Sequence, residues 1–549
     1  MNQRTSLPVW YASPLGWSLL WLGLLVTGLL TRTYFPLDET RYVSVAWEMW
    51  LRGDFLVPHL NGEPYSHKPP LLFWLFQAGW WLFGVSDWWP RLVPALFALA
   101  NLFLTAGLAR RLWPELREAA ALTPLILFGT LLWTFYTSMV MFDMLVVFCT
   151  LLGMHGTLSA ASGRQRGWLL LGVAIGLGVL SKGPVILLHT LPVALLAPLW
   201  LSVDTKPARW TAWYLGLLGA VLLGAAIGFA WALPAASAGG EVFGRALLWG
   251  QTAGRIGGEA APHSRPLWWY LPILPLLLFP WSVWPPLWRG ARRLRAVGLD
   301  SGVRFCLAWL LPVFIAFSLI RGKQVQYLLP LLPACALLAA RILSQAGDFR
   351  PLRDARIPGA ILTIAGIILT VVHSIAYRYN EADWLEHLEP AWGVAVIALG
   401  VAILVVPCRT PRGAVIKWLL VSVMLYVIAH VGIIKVAMQA YDLRPMARHI
   451  ATVQQQGLPV AHVGKYHNQY HFLGRLEQPL IILNRDDVDA WARRHPRGRV
   501  VVYYDKWRPE QARHTEFAQP YRGRGLALWN CAVLREHPEW LHEWPEVNP

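Results

Sequence analysis

Residues 211–233, TAWYLGLLGAVLLGAAIGFAWAL, form an apolar run without a charged side chain. A helix of about 20 such residues crosses the roughly 30 Å of bilayer hydrocarbon. Twelve further apolar runs lie near 14–31, 91–110, 119–138, 141–160, 168–181, 184–201, 267–288, 305–320, 328–342, 358–376, 391–407 and 417–438. The sequence therefore predicts a mainly α membrane protein with about thirteen transmembrane helices.

The composition favours a membrane protein over a soluble one. Of 549 residues, 56% are hydrophobic and 14% are charged, and 32 are tryptophan. The net charge of +17 would suggest a nucleic-acid partner in a soluble chain, but the basic residues form short clusters between apolar runs. We expect membrane lipids as partners and no nucleic acid. The first run lacks a cleavage pattern and is expected to remain as a helix. The cysteines are scattered, so neither disulfides nor a cysteine metal site is expected.

The basic clusters predict the orientation of the chain in a bacterial inner membrane. Residues 71–84 form a shorter, tryptophan-rich run, which suits a helix lying on the bilayer surface. If that run does not cross, every loop on the side of the N-terminus is basic, as the positive-inside rule requires of cytoplasmic loops. The opposite, periplasmic side then receives the loops 32–90 and 234–266 and the tail.

The tail differs in composition from the rest of the chain. Strand-like runs at Pro459–Val463, Pro479–Leu483 and Arg499–Tyr504 alternate with helical stretches at Pro445–Gln456 and Asp486–Arg494. We therefore predict two domains: residues 1–439 in the membrane and residues 440–549 as a small periplasmic α/β domain.

Unusual polar residues lie on the predicted periplasmic side. Asp38 and Glu39 begin a helix-like stretch of the first loop, and His67 and Lys68 precede the surface run. Asp143 stands alone at the start of an apolar run, where a carboxylate is costly and marks a candidate functional site. The same side carries further candidates: Lys182, Arg255, His263, Arg265, Lys323 and Tyr327.

Motifs of other chemistries are missing from the sequence. It contains no P-loop, no GxGxxG after a strand, no HExxH and no GxSxG. An enzyme on this face therefore needs a substrate that is activated beforehand and delivered in the lipid, such as a polyprenyl phosphate sugar.

Six motifs in order resemble the GT-C glycosyltransferases, which use polyprenyl-phosphate sugars: LDETRY, YSHKPPLLFW, FDMLVVF, LSKGP, HSRPLWWYLPILPLLLFPW and FSLIRGKQVQYLLPLLP. Within that group the chain is most similar to the bacterial lipid A aminoarabinose transferases. The resemblance covers nearly the whole chain. It implies the GT-C fold, with thirteen membrane helices, interfacial helices in the first periplasmic loop and a periplasmic C-terminal domain.

The resemblance also implies roles for particular residues. Asp38 matches a first-loop carboxylate that family members need for transfer, and Asp143 matches a second acidic position in the same cavity. The residues that match lipid-phosphate contacts are Lys68, Arg255 and Tyr327. Some aminoarabinose transferases carry a metal-binding Glu where this chain has His67, so a divalent cation is possible but unsupported, and no cofactor is required by the sequence.

Structural explanations remain open for several candidates. Asp38 could cap a helix, and Lys68, Lys182 and Lys323 could anchor helices to lipid headgroups. His263 could be a hydrogen-bonding loop residue. The segment AHVGKYHNQYH at 461–471 is interpreted as a solvated polar stretch instead of a zinc site, because its histidine spacing crosses a strand and a loop.

The favoured function is transfer of 4-amino-4-deoxy-L-arabinose from undecaprenyl phosphate to a lipid A phosphate. The alternatives within the class are a protein O-mannosyltransferase and a transferase of another sugar to lipopolysaccharide core. A lipid flippase is the alternative from another class, but its charged residues would line a path through the membrane midplane.

Overall fold

The computed structural model describes residues 13–202, 206–250, 264–344, 349–379, 383–505, 509–537 and 540. Each of the thirteen predicted apolar runs coincides with one or more helices. Helices are expected there because a chain in hydrocarbon has to satisfy its backbone hydrogen bonds internally. The fold prediction of a mainly α membrane domain is confirmed.

Twelve α-helices occupy the N-terminal half of the described chain: α1 (Pro14–Thr31), α2 (Asp38–Arg52), α3 (Leu71–Phe83), α4 (Trp89–Leu112), α5 (Arg117–Phe128), α6 (Leu131–Tyr136), α7 (Asp143–Ala161), α8 (Arg166–Lys182), α9 (Val185–Leu195), α10 (Ala197–Trp200), α11 (Trp210–Ala238) and α12 (Glu241–Arg245). The longer helices that follow are Tyr270–Leu277, Pro285–Val297, Ser301–Leu319, Leu332–Leu343, Pro351–Tyr379, Pro390–Val405 and Pro411–Ile428. Short 3-10 segments at Leu267–Trp269 and Val325–Leu331 precede two of these helices.

The helices differ in length, which bears on how many cross the membrane. Eight helices of the described chain are long and apolar enough to cross a membrane, and four shorter apolar helices accompany them. The predicted count of thirteen is therefore not confirmed. The run 119–138, for example, divides into α5 and α6 at Gly129, which packs so closely against Trp281 and Leu419 that a Cβ would crowd both.

The first loop folds as a small layer on the membrane domain. The run 71–84 forms α3, whose 13 residues reach only about 20 Å. That length is too short for a span, as the sequence indicates. Helices α2 and α3 pack together around a shared apolar core that includes Val43, Phe73 and Trp80. Two short antiparallel strands, β1 (His59–Leu60) and β2 (Glu63–Pro64), connect the helices.

The C-terminal part is a small α/β domain, as predicted. Strands β3 (Val460–Val463), β4 (Ile481–Leu483) and β5 (Arg499–Tyr504) pair in parallel, and helices Arg444–Gln455 and Val488–Arg494 lie close to the predicted ranges. The sequence interpretation missed a hairpin of β6 (Phe517–Tyr521) and β7 (Arg524–Asn530), which completes a sheet of order β4-β3-β5-β7-β6. Its turn places Arg522 and Gly523 at positive φ, the conformation of a tight hairpin turn.

Candidate active site

Asp38 and Glu39 are adjacent in sequence but lie in opposite environments. Glu39 is 1% exposed and accepts hydrogen bonds from the Arg32 guanidinium, at 2.5 and 3.1 Å, and from the backbone N–H groups of Phe35 and Val140, both at 2.6 Å. Glu39 therefore joins the first loop to the segment before α7. Of the two adjacent carboxylates, Glu39 is buried and has a structural role, whereas Asp38 is accessible.

Asp38 is the accessible carboxylate. Its side chain is 43% exposed, and it pairs with Arg41 one turn further along α2. The hydroxyl of Tyr42 lies 3.5 Å from Asp38 Oδ1. Asp38 begins the helix, but no hydrogen bond from its side chain caps the α2 N-terminus, because the residue at the cap position is Leu37. Helix capping therefore does not explain the carboxylate.

Asp143, Lys182 and Tyr327 form a connected group. Asp143 begins α7 and Lys182 ends α8, and the Lys182 ammonium lies 2.6 Å from Asp143 Oδ1. Both side chains are mostly buried, with 5% of Asp143 and 15% of Lys182 exposed. The same ammonium lies 4.7 Å from the centroid of the Tyr327 ring, which is cation–π distance. The ion pair offsets the cost of a carboxylate in an apolar helix.

Phe142 and Tyr136 connect this group to the first loop. The Phe142 ring packs edge-on against Tyr42 at 4.9 Å, and the Lys68 ammonium lies 5.7 Å from the Phe142 centroid. The Tyr136 hydroxyl lies 3.3 Å from Gln326 Oε1 and interacts electrostatically with both Asp143 and Asp38. The structure thus brings together five of the residues singled out from the sequence: Asp38, Lys68, Asp143, Lys182 and Tyr327.

Lys323 makes structural hydrogen bonds to backbone carbonyls. It is 2% exposed, and its ammonium donates to the carbonyls of Ile320 at 2.5 Å and Arg265 at 3.1 Å. A backbone bridge between Ser264 and Gly322 holds the same two segments together. The Lys323 ammonium thus links the end of the 234–266 loop, at Arg265, to the segment that follows the helix Ser301–Leu319.

Three predicted candidates receive less support. Arg255 and His263 lie outside the described residues. His67 is exposed, with its ring 5.3 Å from that of Tyr65. Within the described ranges, no group of three or more His, Cys, Asp or Glu side chains could hold a metal ion.

Two of the three histidines in 461–471 are buried, so the interpretation of the segment as a solvated stretch was wrong for them. His462 and His471 are buried at 0% and 1% exposure, and His462 packs against Tyr466 and Tyr503. Burial lowers the pKa of His462 to about 4 and that of His471 to about 3. The segment is part of the domain core and of its contact with the first loop, where a charged imidazole is disfavoured.

The sequence analysis also missed neighbours of Asp38. Arg41 and Tyr42 follow it at helical spacing, which could have revealed them. His467 comes from the C-terminal domain, and burial together with nearby Arg41 and Lys465 lowers its pKa to about 4, while Asp38 opposes the shift. No local pattern connects residues 38 and 467, so only the fold reveals this relationship.

Comparisons with known proteins identify relatives of the chain. A family model described as dolichyl-phosphate-mannose-protein mannosyltransferase matches residues 67–231. Two crystal structures of ArnT from Cupriavidus metallidurans superpose over most of both chains at 21% identity. The complex with undecaprenyl phosphate has a TM-score of 0.73, covering 93% of this chain and 98% of that one, and the apo state has a TM-score of 0.75, covering 94% and 98%. The chain therefore has the fold of these ArnT structures, and the fold-class prediction is confirmed.

Sequence relatives define the family more narrowly. The undecaprenyl phosphate-alpha-4-amino-4-deoxy-L-arabinose arabinosyl transferase of Pseudomonas aeruginosa (strain PAO1) is 32% identical over 423 residues, which cover 69% of this chain and 72% of the relative. The enzyme of the same name from Yersinia enterocolitica is 30% identical over 365 residues, or 65% of this chain and 63% of the relative. The chain belongs to the family of undecaprenyl phosphate-alpha-4-amino-4-deoxy-L-arabinose arabinosyl transferases.

Proposed function

We propose that the chain transfers 4-amino-4-deoxy-L-arabinose from undecaprenyl phosphate to a phosphate group of lipid A at the periplasmic face of the inner membrane. The observation that carries this proposal is the gathering of Asp38, Lys68 and the Asp143–Lys182–Tyr327 group around Phe142 and Tyr136. Family membership supports the sugar and the lipid carrier.

The charges suit the departure of a lipid phosphate. The acceptor oxygen attacks the anomeric carbon, the bond between that carbon and the donor phosphate oxygen breaks, and undecaprenyl phosphate leaves with the bonding electron pair. Lys68 lies next to Phe142 and Lys182 next to Tyr327, and both ammonium groups can stabilise this developing charge. Asp143 keeps the Lys182 ammonium oriented, and Tyr327 covers its other side.

Asp38 faces the accessible side of the site. A lipid A phosphate is already ionised at neutral pH, so its oxygen needs little help from a base. In this reaction Asp38 orients the acceptor, and Arg41 holds the carboxylate in place through their ion pair. For a hydroxyl acceptor the same carboxylate would have to accept a proton.

The periplasmic location is supported by the positions of charges along the helices. Asp38 follows α1, Asp143 begins α7 and Lys182 ends α8, so these residues share one side of the membrane domain. Arginine clusters at the opposite helix ends include Arg110, Arg111, Arg164 and Arg166. Under the positive-inside rule, the arginine side is cytoplasmic and the site is periplasmic.

A protein O-mannosyltransferase is the second candidate, because the matching family model at residues 67–231 carries that description. Mass spectrometry of lipid A from cells with and without the chain separates the two. We expect an aminoarabinose mass on lipid A in cells that contain the protein. Unchanged lipid A together with newly glycosylated protein would favour the second candidate.

A further inference from the structure

The C-terminal domain docks directly on α2, the helix that begins with Asp38. The Ser44 hydroxyl donates to the Asn468 carbonyl at 2.8 Å and accepts from the Phe472 backbone N–H at 3.1 Å. The indole N–H of Trp47 donates to the Leu476 carbonyl at 2.9 Å. Ser44 is fully buried in this contact. Hydrogen bonds in such a buried interface fix the register between the domain and the helix.

Glu48 strengthens the same contact. Its carboxylate is 5% exposed and accepts from the backbone N–H groups of Asn61 at 2.6 Å and Gly62 at 2.9 Å, and from the side-chain amide of Asn468. The Phe472 ring stacks on Trp80 at 5.2 Å, within the apolar core of the first loop. The residues next to Asn468 therefore occupy a defined place relative to α2.

His467 is the residue directly before Asn468, and the docking brings it to the Asp38 end of α2. Its ring interacts electrostatically with Arg41, Lys465 and Asp38. The backbone N–H of His467 donates to Gln469 Oε1 at 2.9 Å, which helps to hold the loop. Lys465 is exposed in the same loop.

The charged residues around Asp38 carry a net positive charge. Arg41 and Asp38 neutralise one another as an ion pair, which leaves the Lys465 ammonium and the imidazole N–H of His467 available to an anion. Lys182, by contrast, is mostly buried, paired with Asp143 and close to the Tyr327 ring. The site thus has a buried ion pair at Asp143 and Lys182 and, next to Asp38, a more open basic edge formed by Lys465 and His467.

We propose that the loop 464–470 of the C-terminal domain forms the acceptor side of the transfer site, with His467 and Lys465 binding a phosphate of the lipid acceptor. This inference rests on the proposed function, because it assumes a phosphorylated acceptor. In the ligand-free protein the pKa of His467 is lowered to about 4, so its ring is neutral at pH 7 and contributes a hydrogen-bond donor next to the charged Lys465.

The test is steady-state transfer by the full-length protein, with lipid A and the undecaprenyl-phosphate sugar varied separately. We expect His467→Ala and Lys465→Ala each to raise the apparent KM for lipid A about tenfold, as the loss of a charge-assisted hydrogen bond implies. The KM for the donor should stay unchanged. His495→Ala and Arg494→Ala, in the same domain but at the end of the helix Val488–Arg494, serve as matched controls that should leave both constants as in wild type.

The results distinguish a failure of the proposed function from a failure of the proposed role of the loop. Wild-type protein that does not modify lipid A overturns the proposed function itself. Wild-type transfer with an unchanged lipid A KM in both loop variants, or with equal increases in the donor and acceptor KM, overturns only the role of the loop. Should His467→Ala fold poorly, His467→Gln retains an N–H donor and is expected to keep most of the wild-type affinity for lipid A. A folded His467→Gln protein with a lipid A KM raised tenfold or more would also contradict the proposal.

Discussion

The Lys182 ammonium lies 2.6 Å from the Asp143 carboxylate, where the end of α8 meets the start of α7. Either group alone would be a buried, uncompensated charge, whereas together they place a fixed cation beneath the Tyr327 ring. This pair links the stability of the membrane domain to the chemistry proposed for it.

Variants of the Asp143–Lys182 ion pair are predicted to affect protein stability and sugar transfer differently. Lys182→Met leaves Asp143 buried without its partner and is expected to destabilise the protein by about 3–5 kcal/mol. The double variant Asp143→Asn with Lys182→Met removes both charges and should recover most of the thermal stability, but not transfer. Thermal unfolding in detergent and transfer assays measure the two properties. A single Lys182→Met variant with wild-type unfolding would contradict the ion-pair account.

Glu39 is predicted to matter for stability. Glu39→Ala leaves the buried Arg32 guanidinium and the N–H groups of Phe35 and Val140 without their acceptor. The expected loss is about 3–5 kcal/mol, observed as a lower unfolding temperature and poor recovery from the membrane. Glu63→Ala, at an exposed carboxylate of the same loop, is the control. Equal stability of the two variants would show that the Glu39 contacts contribute little.

Lys68 is predicted to act on the donor. Its ammonium lies over Phe142, between the first loop and the Asp143 group. Lys68→Ala should raise the apparent KM for the undecaprenyl-phosphate sugar about tenfold, because a charge-assisted contact to phosphate is lost. The KM for lipid A should change little. Kinetics with each substrate varied in turn test this, and an unchanged donor KM would leave Lys68 as a membrane anchor.

The buried histidines of the C-terminal domain predict sensitivity to acid. The pKa values of His462 and His471 fall from 6.5 to about 4 and about 3, since burial among Tyr466, Tyr470 and Tyr503 disfavours the charged rings. The unfolded chain takes up protons below about pH 6.5, whereas the folded rings stay neutral. The free energy of unfolding should therefore be unaffected above about pH 6.5 and should fall by roughly 2 kcal/mol per histidine at pH 5.

Hydrogen exchange of residues 460–474 at pH 7 and pH 5, corrected for the intrinsic pH dependence, measures this loss. His462→Phe removes one protonation site and should reduce the difference between the two pH values. His449→Phe, at a ring that stacks on Phe517, is the control. Protection that is the same at both pH values in the wild-type protein would contradict the prediction.

The sequence predicted the helices and strands better than the tertiary contacts between them. Apolar runs and turn residues located the membrane helices, α3 and three strands, because those features depend on local patterns. Asp143 and Lys182 were each found as isolated charges in apolar surroundings, but their pairing requires α7 and α8 to pack, which spacing does not reveal. The same reason explains the error over His462 and His471. His462 is buried by packing against Tyr503, which lies on another strand, and Asn468 of the same segment contacts Ser44 of α2, more than 400 residues away in sequence.

The helix count shows a second kind of limit. Hydropathy marks where a chain is apolar, but a break such as Gly129 depends on what packs beside it. The hairpin of β6 and β7 was missed because β6 lacks strict alternation and includes Pro520, while β7 is a short continuous apolar run instead of an alternating one. The family resemblance selected Asp38 from the first-loop acidic pair, but only the fold shows that Glu39 is buried and Asp38 accessible.

The most direct test of the central claim is transfer of aminoarabinose to lipid A by purified Asp38→Asn protein, measured by mass spectrometry beside wild type and Glu63→Gln. The site described here predicts a loss of at least about 100-fold for Asp38→Asn, with normal unfolding temperature, and full activity for Glu63→Gln. Wild-type transfer by folded Asp38→Asn protein would contradict it, since the carboxylate would then be no more than the Arg41 partner at the start of α2.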